Sequence, residues 1–155
     1  MVGTSRFRID LKLDLIFPLN EVPHANIPTR VGQDVFILGY PMGIDSSGLP
    51  IWKRGSIATE PHVDVDKLPM IYVDSAASRG MSGSPVIIKT SSYQDAKGNT
   101  HIFTGEATAF VGIYSGRIAP NDQGEAHLGI VWKAKVIDEI ITGIPDYSIG
   151  MSPIP

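Results

Sequence analysis

The residues best suited to chemistry lie in a short loop centred on Ser82. Apolar runs at residues 71–73 and 86–88 flank the loop, which reads Gly-Met-Ser-Gly-Ser-Pro over residues 80–85. This pattern predicts a strand, a tight loop and a second strand. Glycines on both sides of a serine allow backbone conformations that a Cβ disfavours, so several N–H groups can point at one position. A hydroxyl beside such donors is what acyl transfer requires, namely an oxygen nucleophile and stabilisation of the oxyanion.

Two other interpretations of this loop exist. A lone Gly-x-Ser-Gly segment also occurs in ordinary flexible turns. The nucleophile elbow of α/β-hydrolases, Gly-x-Ser-x-Gly, must run from a strand directly into a helix. Here the last position of that motif is Ser84, and Pro85 with the apolar run after it predicts a strand, so we set the elbow aside.

The wider segment of residues 74–85 resembles the nucleophile loop of trypsin-like serine peptidases, which have the chymotrypsin fold. The likeness is greatest to the bacterial HtrA-like branch, in which the serine precedes Gly-Gly-Pro or Gly-Ser-Pro, as it does here. This resemblance implies that Ser82 is the catalytic nucleophile. It also implies that the backbone N–H groups of Gly80 and Ser82 form the oxyanion hole.

Other segments resemble the same family, in the same order along the chain. Residues 39–43 are similar to a Gly-Tyr-Pro turn of the family's second barrel, and residues 110–116 to the strand that pairs with bound substrate. Residues 128–132 are similar to the strand that closes the specificity pocket. The resemblance implies that Ala76 forms the floor of this pocket and that Ser115 and Gly116 form its edge. Gly129 would form the opposite wall. Because none of these is charged, we expect substrates with small or medium apolar side chains.

The fold class that this resemblance implies is all-β. We expect the second six-stranded antiparallel barrel of the chymotrypsin-like fold, with a short helix that begins near Lys135 and ends at Gly143. Residues 30–144 would form this barrel, residues 1–29 the end of the first barrel and the connector, and residues 145–155 a tail. Within the first segment, residues 7–15 alternate strictly between apolar and polar side chains, which predicts a half-buried strand.

The rest of a catalytic triad is harder to find in the sequence. Asp14 lies in a segment similar to the one that holds the triad aspartate in this family, although Asp10 is a rival. A solvated carboxylate on an edge strand is a third interpretation. The family order is His, Asp, Ser, and all four histidines follow Asp14: His24, His62, His101 and His127. The sequence therefore provides a nucleophile without the base that would activate it.

The composition limits the remaining classes of function. The chain has 155 residues, 43% of them hydrophobic and 19% charged, which is typical of one globular domain and not of a disordered or membrane-spanning chain. A net charge of −3 and the lack of basic runs argue against a nucleic-acid partner. With no cysteine and scattered histidines, we expect no metal and no cofactor. Residues 1–6 lack the apolar core of a signal peptide, so the compartment is left open, with the cytoplasm as the default.

Three hypotheses about function follow. The first is a serine endopeptidase-type domain that acts on peptides or proteins through Ser82, as a fragment that lacks its histidine and is inactive alone. The second is a non-catalytic, peptide-binding pseudoprotease module. The third, a small β-barrel with an accidental likeness, ranks lowest because four segments match in order. A lone barrel of a two-barrel peptidase would expose an apolar patch, so we expect self-association unless residues 7–19 cover it.

Overall fold

Six strands and one helix make up the part of the chain that the computed structural model describes, residues 27–76, 79–118 and 127–143. The strands are β1 (Asp34–Gly39), β2 (Ile51–Ile57), β3 (Met70–Ser75), β4 (Pro85–Gln94), β5 (Thr100–Arg117) and β6 (Leu128–Lys133), and the helix is α1 (Lys135–Thr142). The predicted strand at residues 7–15 lies outside the described residues. So do three of the candidate side chains, Asp10, Asp14 and His24.

The six strands close into a barrel in the order β1-β2-β3-β6-β5-β4, and each neighbouring pair is antiparallel. The predicted fold class is confirmed, because this is an all-β, six-stranded antiparallel barrel with one short helix near its C-terminal end. The strand boundaries also match the predicted apolar runs, except that β5 begins ten residues earlier, at Thr100. That early part of β5 pairs with the polar end of β4, out to Gln94↔Thr100.

Inward-facing apolar side chains of the six strands fill the barrel. In β1, Val35 and Ile37 are fully buried while their neighbours are more exposed, as the period of two along a strand requires. Each strand supplies residues to one apolar cluster, whose fully buried members include Val73, Val86 and Val131. Ile27, the first described residue, also belongs to this cluster. The core therefore fixes where β3 ends and β4 begins, and these are the two ends of the Ser82 loop.

The helix follows β6, and no residue of it is buried. Gly143 follows it with a left-handed φ of 67°, and its N–H donates to the Ile140 C=O at 3.4 Å, so the helix ends where the sequence predicts. A groove of about 480 Å³ runs beside it, lined by Leu68, Ile113, Trp132, Lys133, Val136, Ile137 and Ile140. Within the described ranges, no helix has the length and apolar character needed to cross a membrane.

The effect of an isoleucine-to-alanine substitution on the free energy of unfolding should depend on whether the isoleucine lies in the barrel core. Ile37 has no exposed surface, whereas Ile102, on the projecting part of β5, is 80% exposed. We expect Ile37→Ala to lower the free energy of unfolding by about 2–5 kcal/mol, because it leaves a cavity in the barrel. Ile102→Ala should change it by less than about 0.5 kcal/mol. Urea unfolding followed by circular dichroism measures both, and equal effects would contradict the described core.

Candidate active site

Ser82 lies at the corner of a tight turn between β3 and β4. The Ser84 N–H donates to the Met81 C=O at 3.1 Å, and Gly83 has φ = 85°. A positive φ at the third position of a β-turn is the conformation that glycine adopts without strain. Met81 is fully buried and Ser84 is 6% exposed, while Ser82 is exposed. The turn is thus anchored in the core at both ends and presents the Ser82 hydroxyl to solvent.

Backbone hydrogen bonds tie this turn to β5. The Gly83 N–H donates to the Tyr114 C=O at 2.8 Å, and the Tyr114 N–H donates to the Ser84 C=O at 2.9 Å. Beyond Tyr114 the register with β6 shifts by one residue, so Ser115 is the extra residue of a bulge. A bulge leaves its extra residue outside the regular ladder. The Ser115 C=O accepts a hydrogen bond of 2.8 Å from the Ser82 Oγ.

The backbone of the loop carries two N–H groups beside this hydroxyl, those of Gly80 and Ser82. Gly80 has φ = 89°, which confirms that this loop depends on the conformational freedom of glycine. No described residue accepts a hydrogen bond from the N–H groups of Gly80 or Ser82. Exposed backbone donors beside an exposed hydroxyl are what an oxyanion site needs.

The loop after β1 packs directly against Gly80. A methyl group at Gly80 would lie 2.7 Å from the Tyr40 carbonyl oxygen and 2.9 Å from the Met42 nitrogen, so only glycine fits this approach. The Met42 N–H donates to the Arg79 C=O at 2.6 Å. Met42 itself has a left-handed φ of 52° and is 70% exposed. Sequence reasoning treated residues 39–43 only as a turn and missed this contact.

The residues expected around the specificity pocket are spread along three strands. Ala76 is exposed at the end of β3, and Ser115 is exposed on β5. A methyl group at Gly116 would lie 3.9 Å from the Ser82 Oγ, so this glycine adjoins the hydroxyl. Gly129 is buried on β6, and a methyl group there would overlap the ring of Tyr114. The structure therefore brings Ser115 and Gly116 next to Ser82, whereas Gly129 faces an aromatic ring in the barrel.

Two buried hydroxyls of the barrel were not predicted. Tyr114 is 1% exposed and Ser75 is 3% exposed, and neither side-chain oxygen has a hydrogen-bond partner among the described residues. Burial raises the pKa of the Tyr114 phenol, because the charged form loses its hydration. A signal for Tyr114 was present in the sequence: an aromatic residue stands directly before the Ser-Gly pair of β5, and Gly129 leaves space for it on the adjacent strand.

None of the three described histidines is hydrogen-bonded to the Ser82 hydroxyl. His62 is exposed in the loop before β3, His101 pairs with Asp95 at 3.1 Å on the β4–β5 hairpin, and the His127 C=O accepts from the Ser75 N–H at 3.1 Å. The Ser82 hydroxyl donates to a backbone carbonyl and not to a histidine. Nor do the described residues contain a group of three or more His, Cys, Asp or Glu that could hold a metal ion.

Comparisons with known proteins give a fold-level likeness. No protein-family model matches the sequence, and no curated protein matches it. The chain is similar to the crystal structure of Rv3671c from M. tuberculosis H37Rv, a serine-to-alanine mutant in an inactive form, at 17% identity and a TM-score of 0.49 over 86% of this chain. It is also similar to a structure of the Rv3671c protease, inactive form, at 20% identity and a TM-score of 0.46 over 80% of this chain. The chain spans 56% and 55% of those two chains, about half their length.

The two glycines of the loop make a matched pair of substitutions. Both have a left-handed φ, but a methyl group at Gly83 meets nothing within 4 Å, whereas one at Gly80 meets the backbone of the loop after β1. We expect Gly83→Ala to destabilise the fold by about 1–2 kcal/mol, from backbone strain alone.

Gly80→Ala should cost about 1–3 kcal/mol more, because the two loops must move apart. Urea unfolding of both variants measures this difference. Equal effects would show that the loop after β1 does not press on Gly80 in solution.

Proposed function

We propose that this chain is a serine endopeptidase-type domain of the trypsin-like family, HtrA-like in subtype, in which Ser82 attacks the substrate carbonyl. The observation that supports this is the combination at one turn of an exposed hydroxyl with two N–H groups, of Gly80 and Ser82, that no described residue accepts. These N–H groups would hold the oxyanion of the tetrahedral intermediate. Each such donor typically contributes about 2.7–4 kcal/mol of transition-state stabilisation.

The hydroxyl of Ser82 is held in an unreactive arrangement. Its proton is donated to the Ser115 C=O at 2.8 Å, and an amide carbonyl is far too weak a base to remove it. Attack requires the side chain to turn toward a general base. In serine-peptidase sites, loss of the histidine base alone lowers kcat by about 10⁶-fold. The described residues alone are therefore inactive under this proposal.

The missing base would come from a first barrel, in the same polypeptide or in another chain. We propose that residues 1–29 belong to the end of that barrel and its connector, residues 30–144 to the C-terminal barrel and residues 145–155 to a tail. Asp14, which lies outside the described residues, would be the triad aspartate. Contact with such a barrel would also explain why the apolar side chains of Ile140 and Ile141 are 75% and 76% exposed.

The substrate would be a peptide or protein that binds as an extended strand. Ser115 and Gly116 adjoin the Ser82 hydroxyl on β5, beyond the last pair of the β4–β5 ladder, Pro85↔Ile113. An extended peptide can pair with such an exposed edge through its backbone. The pocket formed by Ala76, Ser115, Gly116 and Gly129 has no charged side chain, so a small or medium apolar substrate residue is favoured.

The first test is covalent labelling of the isolated chain. A fluorophosphonate reacts only with a serine whose proton is removed by a base, so we expect no labelling of this chain above that of the Ser82→Ala variant. Ser91→Ala, at an exposed serine of β4, is the matched control for surface hydroxyls. The opposite result is labelling that is lost in Ser82→Ala but not in Ser91→Ala. That result would show that the chain contains its own base, and the proposal that it is inactive would be wrong.

The second test asks whether the oxyanion site exists without the base. The boron of a peptidyl boronic acid accepts an electron pair from the Ser82 oxygen, the hydroxyl proton passes to solvent, and the tetrahedral boronate carries the negative charge. We expect an adduct, detected by ¹¹B NMR, that is lost in Ser82→Ala and kept in Ser91→Ala. A folded chain that forms no adduct would overturn the proposed peptidase site. Peptide binding without an adduct would favour the non-catalytic module.

A further inference from the structure

The ring of Tyr114 lies inside the barrel and reaches Gly129 on the neighbouring strand. A methyl group at Gly129 would overlap the Cε2 of Tyr114 and lie 3.2 Å from its Cζ and its hydroxyl oxygen. In the register of β5 with β6, Tyr114 pairs with Val131, whereas Gly129 pairs with Arg117. The ring therefore extends along the inside of β5, from the level of its own backbone toward that of Arg117.

The ring occupies the place predicted for the specificity pocket. The edge of that pocket was predicted at Ser115 and Gly116, and its opposite wall at Gly129. Because Tyr114 directly precedes Ser115 and its ring reaches Gly129, the ring lies between the edge and the wall. A ring that lined an open pocket would be exposed to solvent, whereas Tyr114 is 1% exposed and belongs to the apolar core cluster. The space behind the edge is therefore filled.

The backbone of Tyr114 is fixed relative to the nucleophile loop. The Gly83 N–H donates to the Tyr114 C=O at 2.8 Å, and the Tyr114 N–H donates to the Ser84 C=O at 2.9 Å. The next residue, Ser115, accepts the hydrogen bond from the Ser82 hydroxyl. A substrate whose carbonyl reaches Ser82 would thus have the side chain of the same residue close to Tyr114.

The hydroxyl of Tyr114 does not explain why this residue is buried. Its oxygen has no hydrogen-bond partner among the described residues, and a buried polar group without a partner destabilises a fold. The contacts of the ring must therefore hold Tyr114 in the core. It follows that Tyr114→Phe keeps the space behind the pocket edge filled, whereas only loss of the ring opens it.

We propose that Tyr114 is a specificity-determining residue of the candidate peptidase site, and that its ring limits the substrate residue attacked by Ser82 to glycine or alanine. This inference rests on the proposed function and narrows its preference for small or medium apolar residues. The four predicted pocket residues are all small, so without Tyr114 they would leave room for a large side chain. With Tyr114 in place, a large side chain must displace a ring from the core, and such a clash discriminates between substrates.

Three peptidyl boronic acids that differ only in the residue next to boron test this role. That residue is glycine, alanine or phenylalanine, and titration followed by ¹¹B NMR measures the affinity of each. In the unaltered chain, we expect the phenylalanine compound to bind at least about tenfold more weakly than the glycine compound, because the pocket rejects the added volume. In Tyr114→Ala the vacated space admits the benzyl group, so we expect this preference to be reversed. Tyr114→Phe should keep it.

Ile88→Ala is the matched control for a cavity elsewhere in the core. Ile88 is 1% exposed and pairs with Ala109, farther along the β4–β5 ladder from the Ser82 loop. We expect this variant to keep the preference of the unaltered chain, since it leaves the Tyr114 ring in place. Circular dichroism checks that each variant is folded. Tyr114→Val, which retains part of the side chain, carries the test if Tyr114→Ala does not fold.

The outcomes distinguish this inference from the function on which it rests. If the unaltered chain binds the glycine and phenylalanine compounds equally, the role of Tyr114 is overturned while the peptidase site stands. If loss of the ring weakens all three compounds equally, or if Ile88→Ala also reverses the preference, the role is overturned as well. If the unaltered chain forms an adduct with none of the three, the proposed function fails and the role fails with it.

Discussion

The site depends on the close approach of two loops across the mouth of the barrel. The turn after β1 lies so near Gly80 that a Cβ there would collide with backbone atoms. Met81 and Ser84, which are buried, hold the nucleophile loop from below, and the Met42 N–H holds it from the side. Between the buried Met81 and Ser84, only Ser82 and Gly83 are exposed, so the backbone position of Ser82 is fixed. A site with this geometry cannot be built from the nucleophile loop alone.

Closure of the barrel creates these contacts. β1 pairs with β4 at only two positions, Phe36↔Ile87 and Ile37↔Val86, yet this pairing closes the ring and brings the end of β1 beside the start of β4. On the opposite side, the bulge at Ser115 frees a carbonyl that the ladder would otherwise use. The resting hydroxyl donates to that carbonyl, so the same bulge both orients the nucleophile and keeps it unreactive. Activation would then need only a side-chain rotation toward a base.

Much of the barrel was predictable because its strands carry strong local patterns. The apolar runs in β3, at the start of β4 and in β6 predict strands in nearly the observed places, and Gly143 predicts the end of α1. The early part of β5 was missed because its stabilisation comes from pairing with β4 and not from burial, so its polar sequence has no apolar period. Tyr114 was missed although an aromatic residue before the Ser-Gly pair was a signal, because the pairing of β5 with β6 decides that its ring lies beside Gly129.

The amino-acid sequence by itself determined which residues could do chemistry and which backbone shapes were open to them. A serine between two glycines, both of which adopt a positive φ, is a local property, because φ preferences depend on the residue itself and its neighbours. The tertiary structure alone decided that the Ser82 hydroxyl donates to Ser115 and that the Arg79 carbonyl turns toward Met42. Those partners are more than thirty residues distant along the chain, and only closure of the barrel brings them within hydrogen-bonding reach.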